Sequence, residues 1–114
     1  MSTKPKPRSK TRSKSEIPGY LLDGLEPVKV DHAGVTRGVS VSIQIATLAV
    51  LCRHRGVDRG LSAPSLNCAI NTSKLSRSLN THRNSASRAL LALESQGRIS
   101  PILGGWAISP EVAD

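Results

Sequence analysis

"TSKLSRSLNTHRNSASRALLALESQGRI", residues 72–99, is where the sequence of this chain becomes specific. Leu75 and Leu79 stand one helical turn apart behind Thr72 or Ser73 as cap, and Asn80 and Thr81 break the pattern. That combination predicts a short helix followed by a tight turn. Thr81 is then placed to cap a second helix, in which Ala86, Leu90 and Leu93 recur at i, i+4 and i+7 with Ala89 beside them, and Gly97 is placed to end it.

Two helices joined by a turn of about three or four residues have helix-turn-helix geometry. With Ala86 as the centre of the buried face and about 100° per residue, the opposite face carries Asn84, Arg88, Leu91 and Ser95, flanked by Ser85 and Ser87. The polar members crowd the N-terminal half, as a recognition helix requires when its first turns enter the major groove. Arg bonds bidentately to guanine, Asn to adenine, and Ser to a base or a phosphate. Arg83, Asn84, Ser85, Ser87 and Arg88 are therefore the expected contacts to bases and nearby phosphates, and Lys74 and Arg77 on the preceding helix the expected contacts to the backbone.

These residues resemble the winged helix-turn-helix family of prokaryotic transcription regulators. The family pattern is a short helix ending in Leu, a turn, then Ser/Thr and a helix ending "L-x-x-L-E-x-x-G-x-I". It is met by Leu75, Leu79, Thr81, Arg88, Leu90, Leu93, Glu94, Gly97 and Ile99. The resemblance implies a β-hairpin wing next, and "RISPILGGWAIS" supplies two apolar stretches around the turn signal Gly104-Gly105, with Trp106 and Ile108 on one face. It covers residues 72–109 closely. Asn80 stands where Gly is usual, Arg98 replaces the usual Leu, and the wing tip has no Lys or Arg. The implied fold is mainly α with a small β-hairpin, a winged helix-turn-helix. The implied function is a sequence-specific regulator that binds double-stranded DNA, a repressor of bacterial, plasmid or phage type, acting as a homodimer on an inverted repeat.

Composition bounds this reading from outside. A chain of 114 residues is one domain by length, and its net charge of +8 favours an anionic partner. The charge is +6 over residues 1–15, −3 over 16–36, +3 over 37–60, +4 over 61–99 and −2 over 100–114, so two basic zones flank an acidic connector. With no Phe, one Trp and one Tyr, the chain lacks the aromatic platforms on which single-strand binders stack bases. Cys52 and Cys68 have no close Cys partner, and the spacing of Cys52, His54, Cys68 and His82 matches no common zinc pattern; two buried small thiols are the simpler reading. The longest apolar run, Ile45 to Cys52, is far short of the roughly 18 to 20 residues that span a bilayer. No membrane association is expected, and the location implied is cytoplasmic, on the nucleoid. No nucleophile elbow or phosphate-binding glycine loop is visible, so no catalytic residue, metal or cofactor is expected.

Residues 16–38 read as a connector broken by Pro18, Gly19, Gly24 and Pro27, in which "PVKVD" is a candidate short strand and whose acidic character offers a surface for a partner protein. "VSIQIATLAVLCRHRG" predicts a helix: Val41, Ile45, Leu48 and Cys52 follow helical spacing, Ser40 or Ser42 caps the start and Gly56 stops it. Arg53, His54 and Arg55 either complement the negative end of its dipole or meet phosphate. "GVDRGLSAPSLN" reads as a loop, with a short strand in "CAI". Residues 39–109 form the expected DNA-binding domain and 110–114 a tail.

Residues 1–15 have nothing apolar to bury, which predicts disorder in the free state. Lys4, Lys6, Arg8, Lys10, Arg12 and Lys14 fall at every second position, so an extended chain projects all six to one side, roughly 6.6 to 6.8 Å apart. A flexible cationic arm of this kind adds affinity for the duplex backbone. A plasmid partition or replication factor would use the same module, and a protein- or RNA-interaction winged helix is the reading from another class.

Overall fold

The structure, a computed structural model, describes the backbone of residues 17–58 and 63–110 and the side chains of 17–55 and 66–110. In chain order it holds α1 (Gly19–Leu22), β1 (Val28–His32), β2 (Val35–Val39), α2 (Val41–Arg53), β3 (Arg55–Asp58), β4 (Ala63–Cys68), α3 (Thr72–Leu79), α4 (Arg83–Ser95), β5 (Ile99–Ile102) and β6 (Gly105–Ile108). The cationic arm expected over residues 1–15 lies outside the described residues. The architecture is a small α+β domain with four helices and two antiparallel sheets, one of β1 and β2 and one in the order β3-β4-β6-β5. The single hairpin expected from the sequence is thus half of a larger sheet.

The helices form where local signals place them. Ser40 caps α2 by accepting from the Ile43 amide, and the helix ends at Arg53 ahead of Gly56, with the backbone N–H of His54 closing onto its last carbonyls. Asn71, one residue before the expected caps, starts α3 by accepting from the Lys74 amide at 2.8 Å. Asn80 ends α3 in the left-handed region at φ +56, a conformation Asn tolerates, so the departure from Gly at this turn costs little. His82, in place of the expected Thr81, caps α4 through Nδ1, which accepts from the Asn84 amide at 3.1 Å, and Gly97 at φ +77 follows its C-terminus.

One core cluster joins Leu48 and Leu51 of α2, Leu75 of α3, Leu90 and Leu93 of α4, and Ile99 and Ile108 of the terminal hairpin. Trp106 packs against the same cluster, so Trp106 and Ile108 share the inward face of β6. That hairpin turns at Leu103-Gly104, with Gly104 at φ +88. Gly105 is required by a close approach: a Cβ there would sit 2.0 Å from the Cys68 carbonyl oxygen.

The structure revises three expectations. The expected connector, described over residues 17–38, holds a short helix and most of a hairpin, β1–β2, whose two-residue turn uses positive φ at Ala33 and Gly34. Val28, Val30 and Val39 pack this hairpin on Ala89 and Ala92 of α4. Most of the stretch read as a loop is the strand pair β3–β4, held in the sheet by pairing of Asn67 and Cys68 with Ala107 and Trp106 of β6. Finally, α2 buries Gln44, Thr47, Leu48 and Leu51, while Ile45 is exposed.

The rotation of α2 has a polar cause. The Gln44 side-chain amide donates to the carbonyls of Glu26 and Val39, and its oxygen accepts from Gln96 at 2.7 Å. Gln96 in turn accepts from the Glu26 amide and donates to the Ala92 carbonyl. Buried amides are tolerated when paired in this way. The network ties the segment before β1 to β2, α2 and the end of α4. Arg98 does the same for α1, donating to the carbonyls of Leu21, Asp23 and Gln96, and Tyr20 donates to the Ser109 carbonyl at 2.6 Å.

Candidate nucleic-acid interface

The α3–α4 unit presents its polar residues unevenly. Lys74 and Arg77 are exposed on α3, three residues apart and so on one side of the helix. Arg83, in the first turn of α4, is exposed and donates to the Ser73 hydroxyl at 3.2 Å, bracing the start of one helix on the start of the other. Asn84, Ser85, Ser87 and Arg88 are half-buried.

The partial burial of α4 follows from β1–β2. Ala89 and Ala92 are fully buried beneath the hairpin, and small side chains at these positions let the strands approach closely. His32, at the end of β1, lies with Ser87, Leu91 and Trp106 around a pocket of about 180 Å³. The face opposite Ala86 is therefore not uniformly open: Asn84, Arg88 and Leu91 are half-buried and Ser95 is exposed. Of the polar residues of α4, Arg83 in the first turn and Glu94 and Ser95 in the last are exposed. A signal of the second packing face was present in the sequence, because apolar residues at 86, 89, 90, 91, 92 and 93 make too wide a stripe for a single core contact.

Arg88 and Ser85 line a polar cleft with Arg37 and Ser40, and the Nε of Arg88 is buried without a hydrogen-bond partner. Arg37 was not among the residues singled out by the sequence, since nothing local connects it to α4.

At the end of α2, the His54 Nδ1 is 3.0 Å from the Val50 carbonyl and Arg53 is exposed in the last turn, the arrangement that complements a helix C-terminus. Arg55 lies close enough to Cys52 to favour its thiolate, yet burial outweighs this and pushes the Cys52 thiol up. Burial, reinforced by the neighbouring Cys52, pushes Cys68 up to about 12. Both cysteines are buried free thiols. Among the described residues, no helix is long and apolar enough to cross a membrane.

Compared with known proteins, the chain matches no family model, no curated sequence and no solved structure at a significant level. The functional reading therefore rests on the residues themselves.

Proposed function

We propose that the protein is a winged helix-turn-helix regulator that binds double-stranded DNA sequence-specifically, with the first turns of α4 in the major groove and Lys74 and Arg77 on the phosphate backbone. One observation carries this reading. The α3–α4 unit puts Lys74, Arg77 and Arg83 at the surface beside the half-exposed Asn84 and Ser87, within a run from residue 59 to 93 that contains no carboxylate. Such a surface attracts a polyanion and offers base-reading side chains where a recognition helix uses them. The hairpin over Ala89 and Ala92 fits this docking, because only the N-terminal part of such a helix enters the groove. In this reading the protein acts as a repressor, a homodimer on an inverted repeat in the nucleoid, and the cationic residues from Lys4 to Lys14 supplement a terminal hairpin whose tip carries no cation.

Selection from random duplex DNA tests the proposal, and enrichment of one motif is the expected result. Failure to enrich any motif would leave the interaction with protein or RNA as the better reading. On the selected site, Asn84→Ala should cost about 1–3 kcal/mol while leaving affinity for random duplex nearly unchanged. Lys74→Ala should weaken both alike and lower the salt slope by about one unit.

A further inference from the structure

A polar cleft of about 330 Å³ lies between β2, the start of α2 and the turn joining α3 to α4. Two arginines on different elements line it, Arg37 from β2 and Arg88 from α4, together with the hydroxyl residues Ser40, Thr81 and Ser85. None of its lining residues is acidic. Arg37 pairs with Val30 and stands two residues from the buried Val39, so the alternation of the strand turns it toward α4. The hairpin that covers the C-terminal half of α4 thereby brings a second cation to Arg88.

Each guanidinium carries a positive charge, so both residues favour the entry of an anion. The Nε of Arg88 is the one buried side-chain nitrogen or oxygen among the described residues that lacks a hydrogen-bond partner, and the residue that carries it lines this space. Leaving a buried donor unmade is costly, and an oxyanion is the acceptor that matches a guanidinium fork. Hydroxyls on three sides add donors for further oxygens. The Ser40 oxygen already accepts from the Ile43 amide, which leaves its O–H free to donate. A cleft of this size holds a phosphate group and several waters.

We infer that this cleft is a phosphate-binding site, with Arg37 and Arg88 gripping the phosphate oxygens and Thr81, Ser85 and Ser40 bonding those that remain. The phosphate is either a phosphodiester of a duplex lying on α4 or the group of a free phosphate monoester. The site stands on residues of the hairpin and α2 as well as on α4, so it does not depend on base reading. It gives Arg88 a positioning contact to phosphate in place of a contact to guanine.

The test is a titration of the full chain with inorganic phosphate at constant ionic strength, read from backbone amide NMR shifts. A saturable shift of the amides of residues 37–43, 81, 85 and 88 is expected. Arg37→Ala should weaken it roughly ten- to hundredfold, the loss expected for a charge-assisted bond, and Arg37→Lys should recover part of the affinity. Arg37 is exposed on an edge strand, so an unchanged melting temperature would show the variant folded; Thr81→Val, which keeps shape and removes a hydroxyl, gives a second, smaller loss. Adding a duplex separates the sources. Exclusion of phosphate from the cleft marks the DNA backbone, and continued phosphate binding marks a separate monoester ligand. If no duplex binds but phosphate still saturates these amides, the cleft stands and the DNA reading falls. The absence of any saturable shift, with duplex affinity unaltered in Arg37→Ala, would overturn the cleft while leaving the DNA reading intact.

Discussion

His82 shows how much one side chain fixes in this protein. Its Nδ1 accepts the Asn84 amide, one of the orphan donors at the start of α4, and so sets where the polar first turn begins. Replacing it with Ala should cost about 1 kcal/mol of stability in a denaturant titration, while Asn or Ser should keep the cap. Cys68 makes a different kind of prediction. Its thiol is pushed up to about 12 in the fold against 9.0 for the free group, because burial disfavours the thiolate. The folded state then holds a proton that the unfolded chain releases, so the stabilisation is present below pH 9 and is lost as pH rises toward 12. Unfolding titrations across that window should show falling stability, with a shallower fall in Cys68→Ala. The position of Arg88 on α4 was legible from the sequence, but its neighbour was not: spacing along α4 places its angle on the helix and says nothing of Arg37, which lines the same cleft.

Among the elements, β1–β2 changes the reading most. One of its strands was visible in "PVKVD", but its partner "VTRGV" shows little apolar alternation and becomes a strand by pairing with β1 and packing Val39 on α4. The Gln44–Gln96 pair holds this hairpin to α2 and α4. Gln44→Leu would remove the bonds that its side chain makes to the Glu26 and Val39 carbonyls and to the Gln96 amide in a partly buried setting, at a cost of about 1–3 kcal/mol measured by thermal or denaturant unfolding. If Gln44→Leu were neutral, the network would not be what rotates α2 away from its Ile45 face. The terminal hairpin was placed correctly by its glycines, though the reason for the second one was hidden. Gly104 makes the turn, whereas Gly105 lies against the Cys68 carbonyl of β4, a strand the loop-like composition of residues 56–67 concealed.

At the scale of the whole molecule, charge and topology act together. Within the acidic segment, residues 17–36 are folded onto the body in part by Arg98, Tyr20 and Gln96, so much of this stretch is a component of the domain. The first 15 residues carry +6, with Met1, Pro5 and Pro7 as their apolar side chains. If all six cations from Lys4 to Lys14 engage the duplex, deleting residues 2–14 should lower affinity for every duplex and flatten the log-log salt dependence by up to ~5 units. Affinities measured over a range of salt concentrations check this, and an unchanged slope would make the segment a solvated tail.

The sequence by itself determined α3, the turn at Asn80, α4, and the helix that begins after Ser40, because spacing, caps and breakers act within a few residues of one another. It also determined that the α3–α4 unit carries cations and no acid until Glu94. Only the tertiary structure decided which part of α4 stays open, that Gln44 takes the core position spacing had given to Ile45, and that Arg37 meets Arg88 across one cleft. Each of those depends on strand pairing and polar networks between residues far apart in the chain, and no local pattern records such pairings.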